Sequence, residues 1–189
     1  MFVGKWVVAD AYDQFGLIIS YNKFNLSKRL KTKPTTLKEA NEFVKKYHRH
    51  HRPTTRNSGK WAISVMDNHT NELVGVAIVG NPVSASFMDG MTLEITRLCV
   101  KIDAPKGTAS FILSKCAKIW RLMGGIRILT YTLDKESGAS LKGAGWLKTG
   151  EVIPHNNWKN KSTMDGIERD NLEIYKLKKH RWEKIVNQN

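Results

Sequence analysis

From residue 36 onward the chain alternates between two hydrophobic periods. Leu37, Ala40, Val44 and Tyr47 recur at helical spacing behind Thr36-Leu37-Lys38-Glu39. In that tetrad the Thr36 hydroxyl can accept a first-turn N–H while Glu39 reaches back, a capping box. Pro53 bars continuation, so a helix is expected from about Thr36 to His50. His48 and His51 would prolong its apolar stripe, four residues beyond Val44 and Tyr47, whereas His50 points elsewhere. Two strand-like runs follow, WAISVMD (61–67) and ELVGVAIVG (72–80), joined by Asn68-His69-Thr70-Asn71 as a hairpin. After a loop containing Pro82 and Gly90 comes a third strand, LEITRLCVK (93–101), and then the turn DAPKGTAS. A strong helix is next, with Ile112, Leu113, Cys116, Ala117, Trp120 and Met123 facing one way and Ser114, Lys115, Lys118 and Arg121 the other. Gly124-Gly125 stops it. The remainder predicts a strand at 126–133, a short helix within 137–146, a strand at 146–152, a polar loop at 154–170 and a final strand, NLEIYKLKK, at 171–179. Residues 1–28 hold two apolar bursts, FVGKWVV and FGLIIS, and no motif; they read as a hairpin or an appended arm preceding a domain at 29–189. This order of elements is an α/β mixture with antiparallel and crossover connections.

Composition adds a partner to this picture. At 189 residues, the chain is long enough for one domain with a proper core. Lys plus Arg number 31 against 17 Asp plus Glu, a formal net charge of +14. Such an excess points to a polyanion (DNA, RNA, an acidic cofactor or surface), the alternative being an inert basic surface. Cys99 and Cys116 form no CxxC motif and sit in apolar runs, as buried thiols do in a reducing cytoplasm. Asp10 and Asp13 come too early for a signal peptide, and no apolar stretch approaches the roughly 18 residues of a membrane span. A cytoplasmic protein without a membrane partner is expected.

The strand LEITRLCVK, the turn with Gly107 and the helix after it form a unit suited to phosphate. A helix N-terminus offers free N–H groups and a positive dipole end, and a glycine lets an anion approach the backbone. Taken alone, a purely structural turn explains the same residues. The whole arrangement, however, resembles the GNAT acyltransferase family, whose loop has the form Gln/Arg-x-x-Gly-x-Gly/Ala. Gly107-Thr108-Ala109 matches the end of that pattern, while Ala104 stands where Gln or Arg is usual. Ala144-Gly145-Trp146 echoes the family's helix ending in Gly-Phe. Leu141 occupies the place of the tyrosine that protonates the leaving thiolate, so that role is vacant or falls to Tyr131, Ser137 or Ser140.

The resemblance implies a GNAT-like mixed sheet flanked by helices in a single domain, with acetyl-CoA or a related acyl-CoA as cofactor. It places the pyrophosphate on Lys106, Gly107, Thr108, Ala109 and Ser110, and a carbonyl-polarising backbone N–H near Leu98, Cys99 and Val100. Glu94 is the candidate base, because apolar neighbours on a central strand raise a carboxyl pKa toward the working range. Its alternative is an ion pair with Arg97.

A closer resemblance is to small phage and prophage GNAT-like proteins related to the Mom DNA-modification protein. EANEFVKKYHRHHRP, ELVGVAIVGNPV, LEITRLCV, RILTYTL with SLKGAGW, and KHRWE carry it, covering roughly residues 34–183. Leu93, Glu94 and Arg97 meet the Mom-type strand pattern. That likeness implies an adenine amino group in DNA as the acceptor. A protein lysine or a small amine is the rival acceptor, and a non-catalytic nucleic-acid-binding domain the rival class.

The segment KKYHRHHRP stays open among three readings. A metal site is hampered because His48 and His51 share a helical face but His50 does not, and no Cys or Asp is close to complete a shell. A solvated helix end is the second. The third is the acceptor side of the site, with His48 and His51 as base or proton relay and His50, Arg49, Arg52 and Arg56 as contacts. Trp158 beside Lys159 could stack on an acceptor base or simply anchor a loop. No metal is expected.

Overall fold

The computed structural model describes residues 26, 28–48, 53–54, 58–152 and 177–187. In chain order its elements are β1 (Leu30–Thr35), α1 (Leu37–Tyr47), β2 (Trp61–Asp67), β3 (Glu72–Gly80), β4 (Thr92–Val100), α2 (Thr108–Leu122), β5 (Arg127–Leu133), α3 (Ala139–Gly143), β6 (Leu147–Val152) and β7 (Lys179–Ile185). The strands form one sheet in the order β1-β2-β3-β4-β5-β7-β6. β4 and β5 pair in parallel, connected through α2; the other described pairs are antiparallel. The α/β mixed sheet flanked by helices is the architecture expected above.

The period-two pattern of the strands sorts side chains onto two faces. On one, Ala40, Phe43 and Val44 of α1 pack on Ala62, Val76, Ile78 and Cys99. On the other, Ile112, Leu113, Cys116, Ala117 and Trp120 of α2 pack on Ile63, Val65, Ala77, Val79, Leu93, Ile95 and Ile128. Trp182 of β7 joins this second core, and its indole N–H donates to Thr132 Oγ1 at 2.9 Å. Gly125 after α2 is obligatory, because a Cβ there would overlap the Trp120 ring.

The capping box forms as written: Glu39 N–H donates to Thr36 Oγ1 at 3.1 Å and Thr36 N–H to Glu39 Oε2 at 2.8 Å. The helix stops sooner than expected. It ends at Tyr47, and His48 takes an extended conformation (φ −80°, ψ 129°) with its N–H closed onto Val44 O at 2.9 Å. The chain has to return, because buried Asn41 on α1 binds Thr54: Thr54 N–H donates to Asn41 Oδ1 at 2.7 Å and Asn41 Nδ2 to Thr54 Oγ1 at 2.8 Å. His48 therefore caps α1 instead of extending its stripe.

Two strands differ from expectation. β1 was not anticipated, since LKTKPT carries two lysines and a proline and contributes one core residue, Leu30. Those are the features of an edge strand, and among the described strands β1 is an edge. The last described strand is KHRWEKI; of the expected NLEIYKLKK, Leu177 and Lys178 are not strand, Lys179 opens β7, and 171–176 lie outside the described residues. The physical reason is burial. His180 and Trp182 alternate inward, while β7 is inserted between β5 and β6. Of residues 1–28, Leu26 and Lys28 are described. Leu26 packs on the α2-side core, and Asn68 Nδ2 donates to Lys28 O at 3.0 Å, so the domain's packing begins before residue 29.

Candidate active site

The site grows from a defect in the sheet. Against β3, Ile78 pairs with Arg97 but Val79 pairs with Ile95, leaving Thr96 as an extra residue on β4. A bulge bends its strand and increases the local twist. β4 pairs with β5 only through Thr92↔Arg127, Leu93↔Ile128 and Glu94↔Leu129, and β5 then runs its full length against β7. Past Glu94 the two parallel strands part. The Thr130 hydroxyl, donating to Ile95 O at 3.0 Å, links them at the vertex.

Glu94 sits at that vertex with its side chain on the α1 side, between Leu93 and Ile95, which point the other way. It is 6 % exposed, and burial pushes its carboxyl up from 4.5 to about 6, while the Val83 amide, Arg97 and Lys179 pull the other way. The Val83 N–H donates to Glu94 Oε2 at 2.9 Å. Near neutrality Glu94 is thus a mostly ionised carboxylate that still accepts a proton readily.

The strand pattern sets further chemistry on the same face. Tyr131 lies next but one to Leu129 on β5, half-buried; burial, then Glu94, hold its phenol protonated above the ordinary range. Arg181 of β7 is its cross-strand neighbour, and Lys179 and Glu183 flank Arg181 on that side. Lys179 is half-buried, and burial pulls its ammonium below the ordinary range against the opposing field of Glu94. Glu183 bridges two arginines, at 2.6 Å from Arg181 Nε and 3.7 Å from Arg127 Nη1.

The opposite side of the parting strands carries the turn and α2. Gly107 is the N-cap at φ +93°, a left-handed conformation natural to glycine. Thr108 N–H is taken by Pro105 O at 3.0 Å and Phe111 N–H by Gly107 O at 2.9 Å. Among the described residues no backbone acceptor takes the amides of Ala109 and Ser110, and the first turn has no acidic residue. Lys106 is exposed beside them. The cradle therefore suits an anion. Ser110 Oγ donates to Ser140 O at 2.9 Å, tying α2 to α3.

Leu98, Cys99 and Val100 lie on β4 beyond the point of parting, opposite Ala77, Val76 and Gly75 of β3. Cys99 belongs to the α1-side core, where burial pushes its thiol up to about 11, so it offers no thiolate. Leu141 is buried in the core, which leaves no proton donor at that place, and Ser137 Oγ accepts from Ala139 N–H at 3.3 Å. His48 is half-buried at the α1 cap. Arg49, His50, His51, Arg52, Arg56, Trp158 and Lys159 lie outside the described residues. Among the described residues no group of three His, Cys, Asp or Glu gathers as a metal site would require. Sequence reasoning missed Val83, Phe87, Lys179, Arg181 and Glu183. The alternation in KHRWEKI was the available signal for the last three; a backbone donor such as Val83 leaves none.

A mixed sheet with a bulged central strand, two parting parallel strands and a helix N-terminus below the gap is the fold of the GNAT N-acetyltransferases, and this chain has that fold. It is similar to the ribosomal-protein-S18-alanine N-acetyltransferase of Escherichia coli, at 11 % identity and TM-score 0.58, covering 85 % of this chain and 96 % of that one. The IAA acetyltransferase of Bacillus cereus gives the same identity and TM-score, with 82 % and 99 % covered. Spermidine N-acetyltransferase of Vibrio cholerae, solved with CoA and spermine, is 10 % identical at TM-score 0.54, with 84 % and 96 % covered. No protein-family model matches the sequence, and no curated protein does. No described helix is long and apolar enough to cross a membrane.

Proposed function

We propose that the protein is an acyl-CoA-dependent N-acyltransferase that uses acetyl-CoA or a related thioester, with Glu94 as its general base. The observation that carries this reading is the buried Glu94 carboxyl, with a pKa of about 6, at the vertex where β4 leaves β5. The cradle fits a diphosphate: Gly107 adds no Cβ, and the Ala109 and Ser110 amides head a 15-residue helix. A bound acyl-CoA would supply an electrophilic thioester carbonyl at the gap. The chain's residues do the rest. Glu94 takes the proton from the acceptor amine as its nitrogen attacks, and the cradle fixes the diphosphate end. Tyr131, protonated and on the Glu94 face, is the phenolic proton donor available to balance the leaving thiolate.

For the acceptor we favour an amine carried on a polyanion, an adenine amino group in DNA. The net charge of +14 supports this, as do Arg97, Lys179 and Arg181 on the strands beside Glu94. An adenine amine is unprotonated and weakly nucleophilic, so a base acting during attack suits it. The flipped or single-stranded base is the form that reaches a buried carboxylate.

The test is a thermal-shift titration with acetyl-CoA, beside CoA and ATP. A saturable rise in melting temperature is expected. Gly107→Val should weaken it by at least about tenfold, because φ +93° strains any branched side chain. Thiol release on adding single-stranded DNA, but not polyamines or a lysine peptide, supports the acceptor. No shift at millimolar acetyl-CoA sinks the transferase reading.

A further inference from the structure

We propose that Phe87 is a positioning residue for Glu94: its ring, held against two guanidinium groups, fixes the β3–β4 loop so that the Val83 amide stays on the carboxylate. The inference rests on Glu94 acting as the base.

The loop, residues 81–91, is held unequally along its length. Its second half is tied by many bonds. Asp89 accepts from Met91 N–H at 2.9 Å, from the Thr92 hydroxyl at 2.8 Å and from Arg127 Nη2 at 3.2 Å. Met91 O accepts from Trp120 Nε1 at 3.2 Å and from Ile126 N–H at 3.0 Å. The first half is different. Asn81, Val83, Ala85, Ser86 and Met88 are all exposed, and Val83 is 64 % exposed while its amide serves Glu94. Beyond buried Pro82, the large side chain that holds this half is Phe87, at the end of a single 3-10 turn (Ala85–Phe87).

Phe87 is held by charge. The Arg127 guanidinium lies 5.2 Å from its ring centroid and that of Arg181 4.8 Å away, on strands β5 and β7. A cation over an aromatic face is attracted by the ring quadrupole, and a guanidinium also stacks. Glu183 holds both arginines in place, so Phe87 closes a clamp of Arg127, Glu183 and Arg181. The clamp spans from the loop that donates to Glu94 to the strand that carries Tyr131's neighbour. The charged groups that act on Glu94 are Arg97 from β4 and Lys179 from β7; the neutral Tyr131 phenol of β5 lies in its field, with Arg181 and Glu183 of β7 acting on that phenol. None of these supplies a hydrogen bond from the loop side; Val83 does. A donor to the charged form favours that form, so its loss leaves burial less opposed.

The experiment follows the Glu94 carboxyl by 13C NMR titration, and separately the acid limb of kcat/KM. In Phe87→Ala the midpoint should rise from about 6 by roughly one pH unit, the size of a lost charged hydrogen bond. At pH 7 that is about a twofold loss of the ionised base, vanishing by pH 9. Val83→Pro removes the amide directly and should move the midpoint the same way. Phe87→Trp, which keeps a face for both arginines, should restore it. A Phe87→Ala midpoint unchanged from wild type overturns the proposal, even if activity falls, and so does a Val83→Pro shift without a Phe87→Ala shift. Because NMR needs no turnover, a midpoint that shifts while the acid limb of kcat/KM stays in place upholds the clamp and sinks Glu94 as base.

Discussion

Leu93, Glu94 and Ile95 are consecutive residues of one strand, yet they live on different faces of the sheet. Leu93 and Ile95 are sealed under α2 with Ile128 and Trp182 in an apolar core. Glu94, one step away, meets a backbone amide, a phenol and two cations, Arg97 and Lys179. The apolar side keeps β4 and β5 together up to the vertex. The polar side takes over where they part. The site is therefore a place where the fold spends stability that its other face supplies.

The largest test of that contrast is Glu94→Gln. Activity should fall by about 10²–10⁴, the usual contribution of a general base, measured as kcat/KM near pH 8. A fall under tenfold would move the base elsewhere. Leu93→Ala and Ile128→Ala break the other face: each should cost about 2–5 kcal/mol in urea unfolding, while the acid limb of the surviving activity stays near pH 6. Next comes the stability of Glu94→Gln. The folded pKa of Glu94 lies above its ordinary 4.5, so charging it costs stability as pH rises from about 4.5 to about 6, and the full cost persists above that. At pH 8 the variant should be more stable than wild type by up to about 2 kcal/mol, and the two should converge below pH 4.5. A variant less stable at pH 8 would mean that the carboxylate is structurally paired. Smallest is Thr36→Ala, remote from both faces. Losing the capping box should cost about 1 kcal/mol with kcat/KM unchanged.

The apolar face was the legible one. WAISVMD, ELVGVAIVG and the stripe Ile112, Leu113, Cys116 and Ala117 announce their partners by period, and the strands and helix formed where the pattern placed them. Glu94 could be singled out because it interrupts such a run. β1 escaped because an edge strand blunted by Lys31, Lys33 and Pro34 lacks that signature. Arg97 could be named beside Glu94 from the strand itself, but the β7 residues on this face escaped because Lys179 and Arg181 lie about 85 residues further along the chain and arrive by strand insertion, and spacing in sequence says nothing of cross-strand pairing. The Val83 amide has no side-chain signature at all.

The insertion of β7 carries a cost in time. β5 and β6 are both made before the strand that lies between them. During synthesis each waits with an unpaired edge, at the place where Tyr131 and its neighbours will stand. Pairing at such sequence distance is slow, and open edges invite association with other chains. The half of the sheet that finishes the Glu94 face is thus made after the other half, and it is the half that a chaperone has most reason to guard.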